Sequence, residues 1–286
     1  MSRVAVVGLG GMGSRIGGRL LEAGHDVVVW NRSPEKADAL VARGAVRAES
    51  PADAARRAEA VITMLSDPAA LHAVVEGGDG IAAGADDSVT VIEMSTVGPA
   101  AIAELETLLP AGTGLLDAPV LGSLTEVEAG SLSVFVGGPD DLVARWMPLF
   151  SALGAPVHVG PLGSGAAAKL VANTTLFGTM SLLGEALALA DGLGLSRDVA
   201  FEVLAKTPLA AQAERRRPAL ETGDFPLRFS LSLARKDATL IVEAAEATGV
   251  DLRLVEAARS WVAEAEEAGW GDRDYSALLA WMLRSS

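Results

Sequence analysis

The sequence predicts an α/β fold, in which a doubly wound parallel sheet is followed by an all-α C-terminal domain. Up to about residue 160, short apolar runs rich in β-branched residues alternate with amphipathic stretches, as buried parallel strands and their covering helices require. Beyond residue 162 these runs stop, and alanine, leucine and glutamate recur with helical spacing to the end of the chain. We therefore expect two domains, residues 1–161 and residues 162–286.

Short apolar runs account for the expected strands. The first two are almost continuously apolar, as strands buried on both faces must be. Alternation of such strands with helices predicts a parallel sheet with helices on both faces. The runs lie at residues 4–7, 27–30, 60–65, 89–94, 114–117, 132–136 and 156–159.

The stretches between these runs carry helix start and stop signals. Gly24 and Gly44 mark the ends of the first two helices. The third helix opens with Ser50 as its N-cap and Pro51 in its first turn, and Asp53 places an acid near the positive end of the helix dipole.

A glycine-rich segment at residues 160–165 is the predicted domain boundary. We expect a long helix to leave this segment and to cross into the second domain. Glycine- and proline-containing breaks divide the second domain into roughly five helices. These breaks lie at residues 192–196, Pro208, residues 223–226, Gly249 and residues 269–274.

Composition excludes several classes of function. The 286 residues include 23 Lys+Arg and 37 Asp+Glu, a net charge of −14, so we expect no nucleic-acid partner. No cysteine is present, which excludes thiolate catalysis, and the three histidines lack metal-ligand spacing, so no metal site is expected. The apolar run at residues 170–190 contains polar side chains and is interpreted as a core helix. With no signal peptide or membrane span expected, we predict a cytoplasmic protein.

A glycine motif follows the first predicted strand and opens the first helix. Gly8 permits a tight turn, Gly10 lets the backbone approach a pyrophosphate, and Gly13 lets helix and strand pack closely. The N-terminus of the helix then offers unpaired N–H groups to phosphates. In this strand–turn–helix context the motif predicts a Rossmann-type dinucleotide site, and the alternative is a merely glycine-rich turn. The predicted binding residues are Gly8, Leu9, Gly10, Gly11, Met12 and Gly13.

The end of the second predicted strand indicates which dinucleotide binds. NAD-dependent proteins of this type usually carry an acid about twenty residues after the glycines, which binds the ribose hydroxyls. Here Asn31 leaves no charge to repel a 2′-phosphate, Arg32 can pair with that phosphate and stack on adenine, and Ser33 can add a hydrogen bond. We therefore expect NADP(H); the alternative is a surface arginine at a helix start.

Several segments, in order over nearly the whole chain, resemble the β-hydroxyacid dehydrogenase family. The C-terminal segments at residues 225–227, 236–237 and 271–277 look most like the glyoxylate and succinic semialdehyde reductase branch. The 3-hydroxyisobutyrate dehydrogenases and the imine reductases share the architecture that this resemblance implies. The matching segments are the glycine motif, Trp30-Asn31-Arg32-Ser33, Met64-Leu65-Ser66-Asp67, Met94-Ser95-Thr96, Asp117-Ala118-Pro119-Val120, residues 163–173 and Arg235-Lys236-Asp237.

The resemblance implies that Lys169 is the catalytic residue. A positioned ammonium can stabilise the charge that develops on a carbonyl oxygen and can donate a proton to it. A lysine near a helix N-terminus is electrostatically disfavoured, which indicates another task; the alternative is a lysine that extends along an interdomain surface. Asn173 lies four residues on, hence on the same helix face, to orient the lysine or to bind substrate.

The resemblance also assigns residues around the cofactor and the substrate. Met64 and Leu65 would line the nicotinamide ribose, although as apolar strand residues they are equally typical of plain core. Thr96 would lie at the end of a strand, near cofactor and substrate, unless it only caps the helix before Pro99. Lys236 would approach the cofactor, while Asp237 would fix local structure.

The substrate loop departs from the family pattern. After Asp117-Ala118-Pro119-Val120 the family usually continues with serine and glycine, which help to hold a substrate carboxylate. This chain reads Leu121-Gly122-Ser123 instead, so the first hydroxyl is lost and the wall becomes more apolar. Ser123 and nearby backbone N–H groups can still bind an anion. A larger or less polar carbonyl, or an imine, thereby becomes a more plausible substrate.

Together these residues predict an NADPH-dependent reductase that converts a small aldehyde or keto acid, of the semialdehyde or glyoxylate type, to the hydroxy acid. Lys169 would donate the proton, with Asn173, Ser123 and Thr96 around the small-molecule substrate. The alternatives are an imine reductase on the same scaffold and a non-catalytic cofactor-binding module. The resemblance implies a homodimer that completes the cleft, with a tetramer as the larger alternative.

Overall fold

The computed structural model describes residues 1–284. It forms two compact units, residues 1–170 and the residues from Val171 onward. The predicted α/β fold is confirmed: the first unit is a mostly parallel sheet with flanking helices, and the second is helical. The predicted boundary at residue 161 stays a prediction. A long helix, α8 (Ser164–Gly192), begins in the first unit and continues into the second.

The sheet of the first unit has the strand order β3-β2-β1-β4-β5-β6-β8-β7, and β9 pairs with β8. All seven predicted strands are present, and two short strands, β3 and β7, carry too little pattern to have been predicted. The strands are β1 (Arg3–Val7), β2 (Asp26–Trp30), β3 (Val46–Arg47), β4 (Ala60–Thr63), β5 (Thr90–Glu93), β6 (Gly114–Asp117), β7 (Val120–Leu121), β8 (Leu132–Gly137) and β9 (Gly154–Gly160).

The parallel arrangement of the sheet is interrupted at one edge. β8 is antiparallel to both β6 and β7, whereas β9 is again parallel to β8. A parallel neighbour needs a crossover over the sheet face. The chain between β6 and β8 instead forms β7 and the short helix α6 (Leu124–Ala129). The Leu124 side chain of α6 lies beside Gly11, at the carboxyl end of β1. The connection therefore stays at the carboxyl edge of the sheet. β8 begins at that edge and runs antiparallel to β6.

Apolar side chains pack on both faces of the sheet. Val4 and Val6 belong to one core cluster with Ile16 and Phe150, whereas Ala5 and Val7 belong to a second cluster on the opposite face. This alternation is the period of two that a strand covered on both sides requires. The covering helices are α1 (Gly11–Glu22), α2 (Asp38–Val41), α3 (Pro51–Arg56), α4 (Pro68–Val75), α5 (Gly98–Leu108) and α7 (Asp140–Leu153).

The predicted start of α3 is confirmed, since the Ser50 hydroxyl accepts a hydrogen bond from the Asp53 N–H at 3.0 Å. In the second unit, five described helices of eight or more residues match the predicted number, and a short sixth helix follows them. They are α8, α9 (Arg197–Leu204), α10 (Ala210–Thr222), α11 (Leu231–Thr248), α12 (Arg253–Ala265) and α13 (Leu278–Met282). Among residues 1–284, none of the helices has the length and apolar character that crossing a membrane requires.

Candidate functional site

The carboxyl ends of the central strands meet at one edge of the sheet. Val7 of β1 is aligned with Thr63 of β4, Thr63 with Glu93 of β5, and Glu93 with Asp117 of β6. The segments that leave these strands contain most of the site residues predicted in the first unit. This edge is where proteins of this architecture bind their ligands.

The glycine loop follows β1 at this edge, and two of its glycines are required by packing. A Cβ on Gly8, whose φ is +98°, would lie 2.3 Å from the Met64 carbonyl oxygen, and a Cβ on Gly13 would lie 1.9 Å from that of Gly8. A Cβ on Gly10 would meet nothing within 4 Å. The loop is thus tightly packed underneath and open above the N-terminus of α1, so its shape fits a bound pyrophosphate. The contacts of Leu9, Gly11 and Met12 with a cofactor stay predictions.

Asn31, at the end of β2, is tied to the glycine loop. Its Oδ1 accepts a hydrogen bond from the Leu9 N–H at 2.9 Å, and its Nδ2 donates to the Ser33 carbonyl oxygen at 3.1 Å. Arg32, between them, is exposed and forms no ion pair with a described residue. Asn31 therefore shapes the loop as well as leaving it uncharged, and the exposed Arg32 follows it directly in the chain.

Glu93, which had no predicted role, connects the segments that leave β4 and β5. The carboxylate is fully buried and accepts hydrogen bonds from the Thr63 hydroxyl and from the Ser95 N–H, the latter at 2.5 Å. The Ser95 hydroxyl in turn accepts a hydrogen bond from the Leu65 N–H at 2.7 Å. These bonds hold Met64 and Leu65 next to the segment that carries Thr96.

Thr96 lies in that segment and is partly buried. The N-cap of α5 is Val97, the residue that follows Thr96. Met64 and Leu65 are also partly buried and pack against the two apolar clusters, so they serve the core as well as the edge. Their contacts with a cofactor or a substrate stay predictions.

Asp117 fastens the N-terminus of α8 to the end of β6. The residue is fully buried; its Oδ1 accepts a hydrogen bond from the Gly163 N–H at 2.8 Å, and its Oδ2 accepts one from the Ala166 N–H at 2.6 Å. Burial raises the pKa of this carboxyl above its usual value, and the hydrogen bonds from Ala166 and Gly163 partly oppose that rise. The sequence pattern alone assigns no role to Asp117.

The predicted substrate loop, residues 121–123, lies shortly after Asp117 in the chain. Leu121 is 37% exposed, and Gly122 has a φ of +143°, which favours glycine. Ser123 is the N-cap of α6 and forms a capping box: its hydroxyl and its N–H both donate to the Glu126 carboxylate. The hydroxyl proton and the N–H of Ser123 are thus engaged beside a negative charge, which disfavours an anion there. The role of Ser123 toward a substrate stays a prediction.

Helix α8 carries Lys169 and, one turn later, Asn173. Lys169 is only 9% exposed, which is rare for a lysine. Asn173 is buried. Asn173 Nδ2 donates a hydrogen bond to Asp237 Oδ2 at 2.8 Å, and Lys236 Nζ lies 2.5 Å from Asp237 Oδ1. Asn173 Oδ1 is buried and has no hydrogen-bond partner among residues 1–284. Asp237 therefore orients the Asn173 amide. This leaves the Asn173 Oδ1 available to a hydrogen-bond donor.

Two family models together match nearly the whole chain. One, described as the NAD binding domain of 6-phosphogluconate dehydrogenase, matches residues 3–163. The other, described as NAD-binding of NADP-dependent 3-hydroxyisobutyrate dehydrogenase, matches residues 163–282.

Individual relatives match over almost their full length. Glyoxylate/succinic semialdehyde reductase 1 of Arabidopsis thaliana is 32% identical over 279 residues, covering 96% of both chains. The 3-sulfolactaldehyde reductase of Escherichia coli is 32% identical over 283 residues, covering 98% of this chain and 95% of that protein. The structure of Mycobacterium tuberculosis 3-hydroxyisobutyrate dehydrogenase with L-serine superimposes with a TM-score of 0.89 at 29% identity, covering 99% of each chain.

Proposed function

The chain belongs to the 3-hydroxyisobutyrate dehydrogenase-like family of NAD(P)-dependent oxidoreductases that act on CH–OH groups, and from this premise we propose that it reduces a small aldehyde or keto acid with NADPH. The observation that carries the proposal is the nearly buried Lys169, placed one turn before the buried Asn173 on α8. A buried cation beside an oriented amide is the arrangement that proton donation to a carbonyl oxygen needs.

The preference for NADPH over NADH is part of the proposal. Arg32 is exposed and forms no ion pair with the described residues, so its guanidinium is available to a 2′-phosphate. Asn31 places no carboxylate beside it. The open space above Gly10 would take the pyrophosphate, held by the N–H groups at the start of α1.

Two residues of α8 would act on the substrate. When bound, the reduced nicotinamide supplies the hydride for the carbonyl carbon. The Lys169 ammonium stabilises the negative charge that grows on the carbonyl oxygen and donates a proton to it. Asn173, oriented by Asp237, uses its Oδ1 to accept a hydrogen bond from the lysine or from a substrate hydroxyl. The near-complete burial of Lys169 excludes most water, which strengthens these interactions.

Small carboxylated aldehydes are the substrates that we propose. The relatives at 32% identity are named for glyoxylate, succinic semialdehyde and 3-sulfolactaldehyde. Thr96 and the loop Leu121-Gly122-Ser123 would line the pocket. The test is NADPH oxidation against glyoxylate, succinic semialdehyde, uncharged aldehydes and cyclic imines, with identification of the product. Turnover confined to cyclic imines would point to an imine reductase, and NADPH binding without turnover of any carbonyl would point to a non-catalytic module.

Replacing Leu121 with serine is expected to raise kcat/KM for succinic semialdehyde by about 3- to 10-fold, the range for one added hydrogen bond. The serine would offer a hydroxyl to the substrate carboxylate in place of an apolar, partly exposed side chain. An uncharged aldehyde of the same length should gain nothing, and it serves as the control. Equal changes for both substrates would remove this position from the carboxylate site.

We further propose a cytoplasmic homodimer, with a tetramer as the larger assembly. Exposed apolar side chains recur along one face of α8 at Val171, Leu182 and Leu189. Patches of this kind are commonly covered by a partner. Light scattering of the purified protein tests the assembly, and a monomer at micromolar concentration would contradict it. Cell fractionation tests the location.

A further inference from the structure

We propose that Asp117 is a positioning residue that sets Lys169 against the substrate loop. This inference rests on the role proposed for Lys169. Asp117 ends β6, and both of its carboxylate oxygens accept hydrogen bonds from the chain at the start of α8, from Gly163 at 2.8 Å and from Ala166 at 2.6 Å. The first N–H groups of a helix have no partner within the helix, and here a side chain from a strand supplies one.

The packing around Asp117 leaves this carboxylate little freedom. A Cβ on Gly137 of β8 would lie 2.3 Å from Asp117 Oδ1. A Cβ on Gly165 would lie 2.4 Å from the Phe135 carbonyl oxygen and 2.6 Å from that of Asp117. The backbones of β6, β8 and α8 therefore approach each other as closely as glycine allows. The carboxylate lies inside this junction, so its two hydrogen bonds fix where α8 begins.

The charge of Asp117 also bears on Lys169. A cation in the first turns of a helix is disfavoured by the positive end of the helix dipole. Lys169 lies five residues after Ser164, the first residue of α8. The first turn of α8 contains no acidic residue that could offset the dipole. Asp117 brings a carboxylate to that end from the neighbouring strand. It thereby offsets the positive end of the dipole in the helix that carries Lys169.

Asp117 connects two elements that carry proposed site residues. Leu121 and Gly122 of the substrate loop lie four and five residues after Asp117, the last residue of β6. One side chain thus joins the strand that delivers the substrate loop to the helix that delivers the proton donor. Misplacing reacting groups by about 1 Å can cost about 100-fold in rate. A loosened junction should therefore reduce kcat more than it affects cofactor binding.

The test replaces Asp117 with asparagine, which keeps the size of the side chain and one accepting oxygen. The Asn Nδ2 would face a backbone N–H, so one of the two hydrogen bonds and the charge are lost. We expect kcat, expressed per NADPH-binding site, to fall by about 10- to 100-fold, with the KM for NADPH within about threefold of wild type. Asp117→Ala loses both hydrogen bonds, so its kcat per binding site should be lower than that of Asp117→Asn. A merely structural role would lower the number of binding sites and leave the rate per site unchanged.

Ser50→Ala is the matched control, because it removes the N-cap of α3 and leaves α8 untouched. It should lower thermal stability and spare kcat. Lys169→Ala is measured alongside: unaltered turnover there would overturn the proposed function itself. If Lys169→Ala is impaired while Asp117→Asn keeps its rate per site, only the positioning role is overturned. Should Asp117→Asn not fold, Asp117→Ser, which keeps one acceptor without the charge, is judged by the same rate per site.

Discussion

Replacing Lys169 with alanine is expected to lower kcat by about 10²- to 10⁴-fold, the range for removing a general acid. Without the ammonium, no group on α8 of comparable charge can stabilise the carbonyl oxygen as hydride reaches the carbon. NADPH binding should persist, because the glycine loop and Arg32 that we assign to it lie on other elements. Turnover and NADPH binding are measured on the same preparation, the latter by titration of the cofactor fluorescence.

Lys206→Ala is the matched control for this variant. Lys206 is an exposed lysine that follows α9, so its removal makes the same change of charge without touching α8. It should leave kcat at the wild-type value. Unaltered turnover in Lys169→Ala would refute the role of Lys169, and a loss of NADPH binding equal to the loss of turnover would make it a cofactor ligand instead.

Replacing Arg32 with alanine is expected to weaken NADPH binding by about 1.5–3 kcal/mol, the range for a hydrogen bond to a charged group. This corresponds to an increase of about 10- to 150-fold in the Kd. NADH has no 2′-phosphate, so its Kd should change little. The two dissociation constants are measured for wild type and variant, and the ratio between them is the quantity that the account predicts.

Arg3→Ala provides the comparison, because Arg3 is an exposed arginine at the start of β1, far along the strand from the carboxyl edge. Its loss changes the net charge equally and should weaken both dinucleotides by the same small factor. If Arg32→Ala also weakened NADH and NADPH equally, its guanidinium would have no part in recognising the phosphate.

The fold could be predicted because its signals are local. Continuous apolar runs, glycine breaks and the Ser50 cap each lie within a few residues, and these features define most of the sheet and the helical second unit. The direction of β8 could not be predicted in this way. It depends on where the chain between β6 and β8 packs, and that chain contacts the glycine loop through Leu124, which lies outside the β8 sequence.

The same distinction between local and distant signals holds for the candidate site. The glycine loop and the segment around Arg32 are short motifs, so their residues were predicted together. The side chains that join motifs were missed or left without a partner, because these pairs are distant in sequence: Asp117 and Ala166 are 49 residues apart, and Asn173 and Asp237 are 64 residues apart. An acid that ends an otherwise apolar strand, as Glu93 and Asp117 do, is the one local signal that could have drawn attention to them.

The initial rate of NADPH oxidation with succinic semialdehyde, compared with NADH at the same concentration, tests the central claim most directly. The account predicts carbonyl-dependent oxidation of NADPH with 4-hydroxybutyrate as the product, and a kcat/KM for NADPH at least about tenfold above that for NADH. No oxidation with this or any other carboxylated carbonyl, or equal use of both cofactors, would contradict it.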